Sequence, residues 1–219
     1  GANVLAGLIY IKTKEPTDKF EGTSELTIGD YGTQNIGVAF GGPMKNKKLK
    51  YRVVFRTDYA DGFRKNIYLN KSDTSKKDEL TLRYKLNWEF NETTNIDFLI
   101  SKIDMDDPAD IWTIDGSLNT LSDRPGMDSQ NTDSFKVKIS KNFANFELQS
   151  ITSSTKTDII FSYDADWGNY DSHFPYTYDY FSETLRKRDT FNQELRILSK
   201  NTDFSKNNPF EWIFGFNFS

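Results

Sequence analysis

Apolar and polar residues alternate along most of the chain. Leu80, Leu82, Tyr84, Leu86, Trp88 and Phe90 are separated by Thr81, Arg83, Lys85, Asn87 and Glu89. A period of two puts the first set on one face of a strand and the second on the other. A helix would scatter the same residues around its axis. The pattern returns in Tyr51, Val53, Phe55 and Tyr59 against Arg52, Arg56 and Asp58, and in Phe135, Val137 and Ile139 against Lys136, Lys138 and Ser140. It returns again in Phe191, Leu195 and Ile197, and in Trp212, Phe214, Phe216 and Phe218. Weaker alternation predicts strands near 20–30, 34–41, 94–104 and 145–161. That makes about nine strands after residue 18, with a shorter one over Leu8–Lys14.

The connections sort by length. Gly41-Gly42-Pro43-Met44-Lys45-Asn46, Asn91-Glu92-Thr93-Thr94, Asn142-Phe143-Ala144-Asn145 and Asn207-Asn208-Pro209 are turn-like. Those near 61–77, 105–133 and 162–188 are long, and they alternate with the short ones after a brief turn at Asp30-Tyr31-Gly32-Thr33. In an up-and-down meander, alternate connections lie at one end. One end therefore carries tight turns and the other large loops, as in an outer-membrane barrel. Spanning the hydrocarbon takes about 9–11 tilted strand residues, which 78–90 supplies. Periodicity alone leaves two arrangements open. In a soluble barrel the aromatics would fill a core; in a membrane barrel they would face lipid and the charges would line the lumen.

Composition narrows the function classes. The 219 residues include 18 Phe, 11 Tyr and 4 Trp, enough to argue against wholesale disorder. With no Cys, disulfide frameworks, thiolate metal sites and Cys nucleophiles are excluded; with one His, a His-rich metal centre is disfavoured. A net charge of −4 argues against a general nucleic-acid binder. No apolar run suits a membrane-spanning helix. The stretch Lys45-Asn46-Lys47-Lys48-Leu49-Lys50 reads as a solvated turn. No nucleophile elbow, phosphate loop or paired-His motif occurs, so the chain is not expected to be an enzyme and no cofactor is implied.

The opening Gly1-Ala2-Asn3-Val4-Leu5-Ala6-Gly7-Leu8-Ile9-Tyr10-Ile11-Lys12-Thr13-Lys14-Glu15-Pro16 resembles the end of the plug domain of TonB-dependent outer-membrane receptors. Phe20-Glu21-Gly22, Gly29-Asp30-Tyr31-Gly32-Thr33 and Gly41-Gly42-Pro43-Met44 resemble that family's first barrel hairpin. Tyr51-Arg52-Val53-Val54-Phe55-Arg56 and Asp61-Gly62-Phe63 resemble the next strand and loop start. The resemblance implies an all-β chain: residues 1–17 as the C-terminal end of a plug, and 18–219 as the first part of a transmembrane antiparallel up-and-down barrel. Such barrels close with about 22 strands, so the chain reads as a fragment; alone it would leave two open edges at lipid depth. The resemblance further implies a Gram-negative outer membrane, coupling to the TonB energy-transducing complex through a missing N-terminal segment, and import of a scarce solute, foremost a ferric siderophore.

Candidate site residues fall in three groups. Tyr163, Trp167, Tyr170, His173, Tyr176 and Arg186 could stack on and charge-pair with an anionic chelate, or supply an interface girdle and loop packing. Arg52, Arg56, Arg83 and Lys85, with Lys136 and Lys138, are expected to face the lumen and hold the plug. Asp104, Asp106, Asp107 and Asp110 open a stretch, 104–133, that holds eight Asp and one basic residue, Arg124. Calcium is the alternative reading of that quartet; without EF-hand spacing, a solvated acidic loop is the simpler one. The rival functions are a passive porin, which has no use for residues 1–16, and a soluble β-rich carbohydrate-binding module.

Overall fold

The computed structural model describes residues 11–200 and 211–219. Eleven strands follow one another: β1 (Glu21–Ile28), β2 (Gln34–Pro43), β3 (Leu49–Ala60), β4 (Lys65–Asn66), β5 (Lys77–Asn91), β6 (Thr94–Pro108), β7 (Asn119–Thr120), β8 (Met127–Asn142), β9 (Phe146–Asp164), β10 (Phe181–Ser199) and β11 (Ile213–Phe218). Nine form one antiparallel meander in the order β1-β2-β3-β5-β6-β8-β9-β10-β11. The remaining two, β4 and β7, pair in parallel above it. The turn at 207–209 and residues Leu8–Tyr10 of the expected early strand lie outside the described residues; Ile11–Lys14 runs without strand pairing.

Alternation dictates the register. Tyr84 stands opposite Val53 and Ile100, Leu86 opposite Tyr51 and Phe98, and Trp88 opposite Leu49 and Ile96, so one face is aromatic and aliphatic. The other face of the same rows carries Arg52, Lys85, Asn87 and Asp97. Burial inverts the soluble pattern. Among the described residues Ala109 is the sole buried hydrophobic side chain, while Arg52 and Lys85 are each only 8% exposed. Leu82, Phe90, Ile100, Phe135, Phe191 and Phe214 all lie open on the outside. Apolar area on that scale is stable against hydrocarbon and costly against water. The soluble-core arrangement is therefore not the one adopted.

The apolar belt crosses the hydrogen-bonded rows obliquely. On β5 it begins at Leu80 and Leu82, yet their partners on β6 are Asp104 and Lys102, and the β6 run begins only at Ile100. Tilted strands require such a step, because each neighbour is displaced along the barrel axis.

The strands reach further than the hydrophobic pattern predicts. β6 continues to Pro108, β8 starts at Met127 and β10 at Phe181. The long loops shrink to 61–76, 109–126 and 165–180, the first and second containing β4 and β7. The overhanging stretches, such as Met127-Asp128-Ser129-Gln130-Asn131-Thr132-Asp133, are polar on both faces. Above the belt neither face needs to be greasy, so the ladder continues without a hydrophobic signature. Connections at the opposite end stay short, at 44–48, 92–93 and 143–145.

Candidate functional site

The inner face is a basic, polar surface on which residues 11–20 lie. Lys85 Nζ donates to the Thr13 carbonyl at 3.0 Å and pairs with Glu15 Oε2 at 2.9 Å. Arg52 Nη1 reaches Glu21 Oε1 at 3.2 Å, and Lys14 Nζ reaches the same oxygen at 2.6 Å. Lys50 Nζ bridges Asp18 at 2.7 Å and Glu89 at 2.6 Å. Gly42 makes the approach possible: a Cβ there would stand 2.7 Å from the Phe20 Cα. The strand pair thus offers a glycine where the incoming segment crosses it.

Around this segment lies a cavity of about 800 Å³, lined by Lys12, Glu15, Arg83, Lys85, Asp97, Lys136 and Lys138 among others. Arg83, Lys136 and Lys138 make no ion pair among the described residues, nor do Arg186 and Arg188 on the same face of β10. Arg56 is different: it forms two hydrogen bonds to Asp58, each 2.7 Å, and lies 3.6 Å from Glu25. Of the expected plug-facing set, Lys85 contacts Thr13 and Glu15, Arg83 lines the cavity beside them, and Arg52 and Arg56 are tied to their own sheet, Arg52 through Glu21, which Lys14 also reaches.

The three long loops form one cap. Lys65 N–H donates to the Leu118 carbonyl and Ile67 N–H to that of Thr120, which makes the β4–β7 pair. Within that pair Asn66 and Thr120 are fully buried. Asn66 Nδ2 donates to Asp110 Oδ2 at 2.9 Å and to the Ser122 carbonyl at 2.8 Å, and Thr120 Oγ1 donates to the same Asp110 oxygen at 2.6 Å. Loop 165–180 joins through Asn169 Nδ2 to the Leu121 carbonyl and through an Arg124–Asp179 pair, with Arg124 also over the Phe181 ring. The calcium quartet does not converge. Strand alternation sends Asp104 and Asp106 to the outer face and Asp107 to the inner, while Asp110 is committed to Asn66 and Thr120. No cluster of three or more acidic or His side chains suited to a metal occurs among the described residues.

The aromatic candidates split. Tyr163 lies on the inner side of β9 against Trp112, ring centroids 5.2 Å apart, and Arg186 projects inward on β10 near Ile159, Phe161 and Thr184. Trp167, Tyr170, His173 and Tyr176 sit in loop 165–180. There His173 Nε2 donates to the Asp166 carbonyl at 3.0 Å and its ring meets Tyr178 at 5.2 Å. Tyr176, Tyr178 and Tyr180 follow with near-parallel rings 6.5 and 5.9 Å apart. Tyr170 and Phe174 are the most open, at 70% and 89% exposure. The alternation and spacing of the sequence point neither to Trp112 nor to the contacts that Arg124 makes with Asp179 and Asp110 with Asn66 and Thr120, since no spacing connects residues on separate loops.

Above the belt, at the last residue of β9, Asp164 is buried, and its Oδ2 has no hydrogen-bond partner among the described residues. Burial pushes its carboxyl above the usual range, and the neighbouring Asp166 charge adds to the effect. Exposed Asp115 goes the other way, lowered by hydrogen bonds from Ser117.

Nine antiparallel strands, an exposed apolar belt, a charged inner face and loops gathered at one end define a segment of an outer-membrane-type β-barrel, with the fold of the TonB-dependent receptors. The ferric yersiniabactin uptake receptor FyuA of Yersinia pestis superposes with a TM-score of 0.73 at 13% identity, over 93% of this chain and 31% of the receptor. FpvAI, solved in complex with pyocin S2, superposes with a TM-score of 0.61 at 16% identity, over 85% of this chain and 25% of that one. The chain thus spans about a third and a quarter of these two structures. No family model and no curated protein sequence matches it.

Proposed function

We propose that this chain is the junction of plug and barrel in a TonB-dependent outer-membrane receptor that imports a scarce solute, with a ferric siderophore as the favoured cargo. The observation that carries the reading is the clamp of Lys85 on Thr13 and Glu15, continued by the Lys14–Glu21 pair at the start of β1. A porin has no segment to hold there. In the proposed receptor residues 11–17 are the end of the plug, and hydrated ion pairs hold it to the barrel wall. Such contacts exchange for water at small net cost, so a pulling force can rearrange them, whereas an oily core would resist. Arg83, Lys136 and Lys138, without an ion pair among the described residues, extend the same seat toward the rest of the plug. The loop cap stands over the lumen entrance, and its open rings Tyr170, Phe174 and Tyr176 are the proposed first contacts for a cargo with aromatic or sugar-like surface. FyuA takes up ferric yersiniabactin by its name, which supports iron chelates as the cargo class without naming one for this chain.

The test is deletion of the full-length gene and growth on chelator-limited iron with single ferric siderophores added back. Loss of growth on one siderophore, matched by a TonB-deficient strain, is the expected result. Uptake that persists without TonB would make the protein a passive channel.

A further inference from the structure

The outer face of β9 interrupts the apolar belt. β8 presents Phe135, Val137 and Ile139 outward, β10 presents Phe191, Leu195 and Ile197, and β11 presents Phe214, Phe216 and Phe218. Between β8 and β10, on the same rows, β9 presents Ser154, Thr152 and Ser150. Gln193 completes the set: it falls between Phe191 and Leu195 on β10 and directly opposite Thr152. These are bonded to one another. Thr152 Oγ1 donates to Gln193 Oε1 at 2.6 Å, and Gln193 Nε2 donates to Ser150 Oγ at 3.1 Å. The result is a shallow polar groove between two apolar ridges, at the depth where the neighbouring strands are greasiest.

Hydrocarbon gives these groups nothing. A carboxamide has two donors and two acceptor lone pairs, and each hydroxyl one donor and two lone pairs, so the internal bonds leave capacity unused. Small hydroxylated side chains let two backbones approach closely, and polar groups hold membrane segments together. The rim above supplies the identity of the partner. Lys156 and Asp189 are register partners on the outer face, both exposed, and neither is ion-paired among the described residues. A twofold axis along the membrane normal between β9 and β10 would bring Lys156 of one molecule toward Asp189 of the other, and Thr152 toward Gln193. Thr152 and Gln193, and Lys156 and Asp189, are matched across this axis, and the small Ser154 and Ser150 leave room for Phe191 and Leu195 of the second copy.

We propose that the β9–β10 outer face is an intramembrane interface for a second copy of this protein. The inference rests on the apolar outer face being lipid-facing, as in the function proposed above. The experiment uses full-length protein in its native membrane, with any cysteine outside these 219 residues replaced by Ser. Within them there is none. Thr152→Cys and, as control on a distant part of the belt, Phe98→Cys are oxidised. The expected result is a disulfide-linked dimer from Thr152→Cys and only monomer from Phe98→Cys. With Ser154→Cys as reporter, adding Thr152→Val and Gln193→Leu should cut the dimer about tenfold. A Thr152→Cys variant that stays monomeric, or that links to a different protein, overturns the proposal. Heat-dependent gel mobility of each variant reports the folded barrel. If no variant shows it, the lipid-facing reading fails and takes this interface with it; if all show it and none dimerises, only the interface fails.

Discussion

Lys85 Nζ sits between the Thr13 carbonyl and the Glu15 carboxylate, at 3.0 and 2.9 Å, while its own stem is buried against the barrel wall. One ammonium thereby joins the first described residues of the chain to the middle of β5. Glu15 is more than half exposed, so water screens the pair and its worth is well below that of a buried bridge.

Lys85→Met keeps the stem and removes the charge. The expected outcome is cleavage within residues 11–17 by brief proteolysis faster by about tenfold, which corresponds to about 1.4 kcal/mol. Strands β5 and β6 should stay intact. Cleavage of the detergent-solubilised receptor, mapped by mass spectrometry, checks it; equal rates in both proteins would remove Lys85 from the clamp.

The two faces of the sheet, at Phe98 on β6 and Lys136 on β8, should answer differently to charge. Phe98 lies on the outer face between Leu86 and Val137. Phe98→Arg should destabilise the barrel by about 2–4 kcal/mol. Lys136→Ala, on the inner face, should leave stability nearly unchanged. Urea unfolding in lipid vesicles measures both. A tolerant Phe98→Arg would mean that the outer face does not meet hydrocarbon.

In the cap, Asp110 accepts from both Asn66 and Thr120 in a buried setting. Asp110→Ala orphans two donors at about 1–3 kcal/mol each. Loops 61–76 and 109–126 should become sensitive to brief proteolysis, while the strands below remain intact. Cleavage mapped by mass spectrometry decides it.

Asp164 makes the cap pH-sensitive. Its folded carboxyl is raised by burial, so the folded cap binds the proton more tightly than the unfolded chain does. The burial penalty is absent at acid pH and grows as pH rises through the raised value, so stability falls in that direction. Asp164→Asn should protect loop 165–180 from proteolysis at neutral pH and make little difference at acid pH. A benefit equal at both would rule out titration as its cause.

The sequence by itself determined what repeats along the chain. Leu80 to Phe90 announced a two-faced strand, and the same period located all nine strands of the meander. The alternation of short and long connections set the ends apart. A period of two is a local property, and a strand shows it whether or not its neighbours are known. It could not say which face was covered, because the same alternation serves a soluble core and a lipid belt; buried Arg52 and Lys85 beside open Leu82 and Phe90 decided that. Nor could it follow β8 above Phe135, where both faces are wet and no hydrophobic signal remains. The cap belonged entirely to tertiary structure. Asn66, Asp110 and Thr120 meet only because the sheet brings separate loops to one end, and hydrogen bonds between distant residues leave no periodic trace in a single sequence.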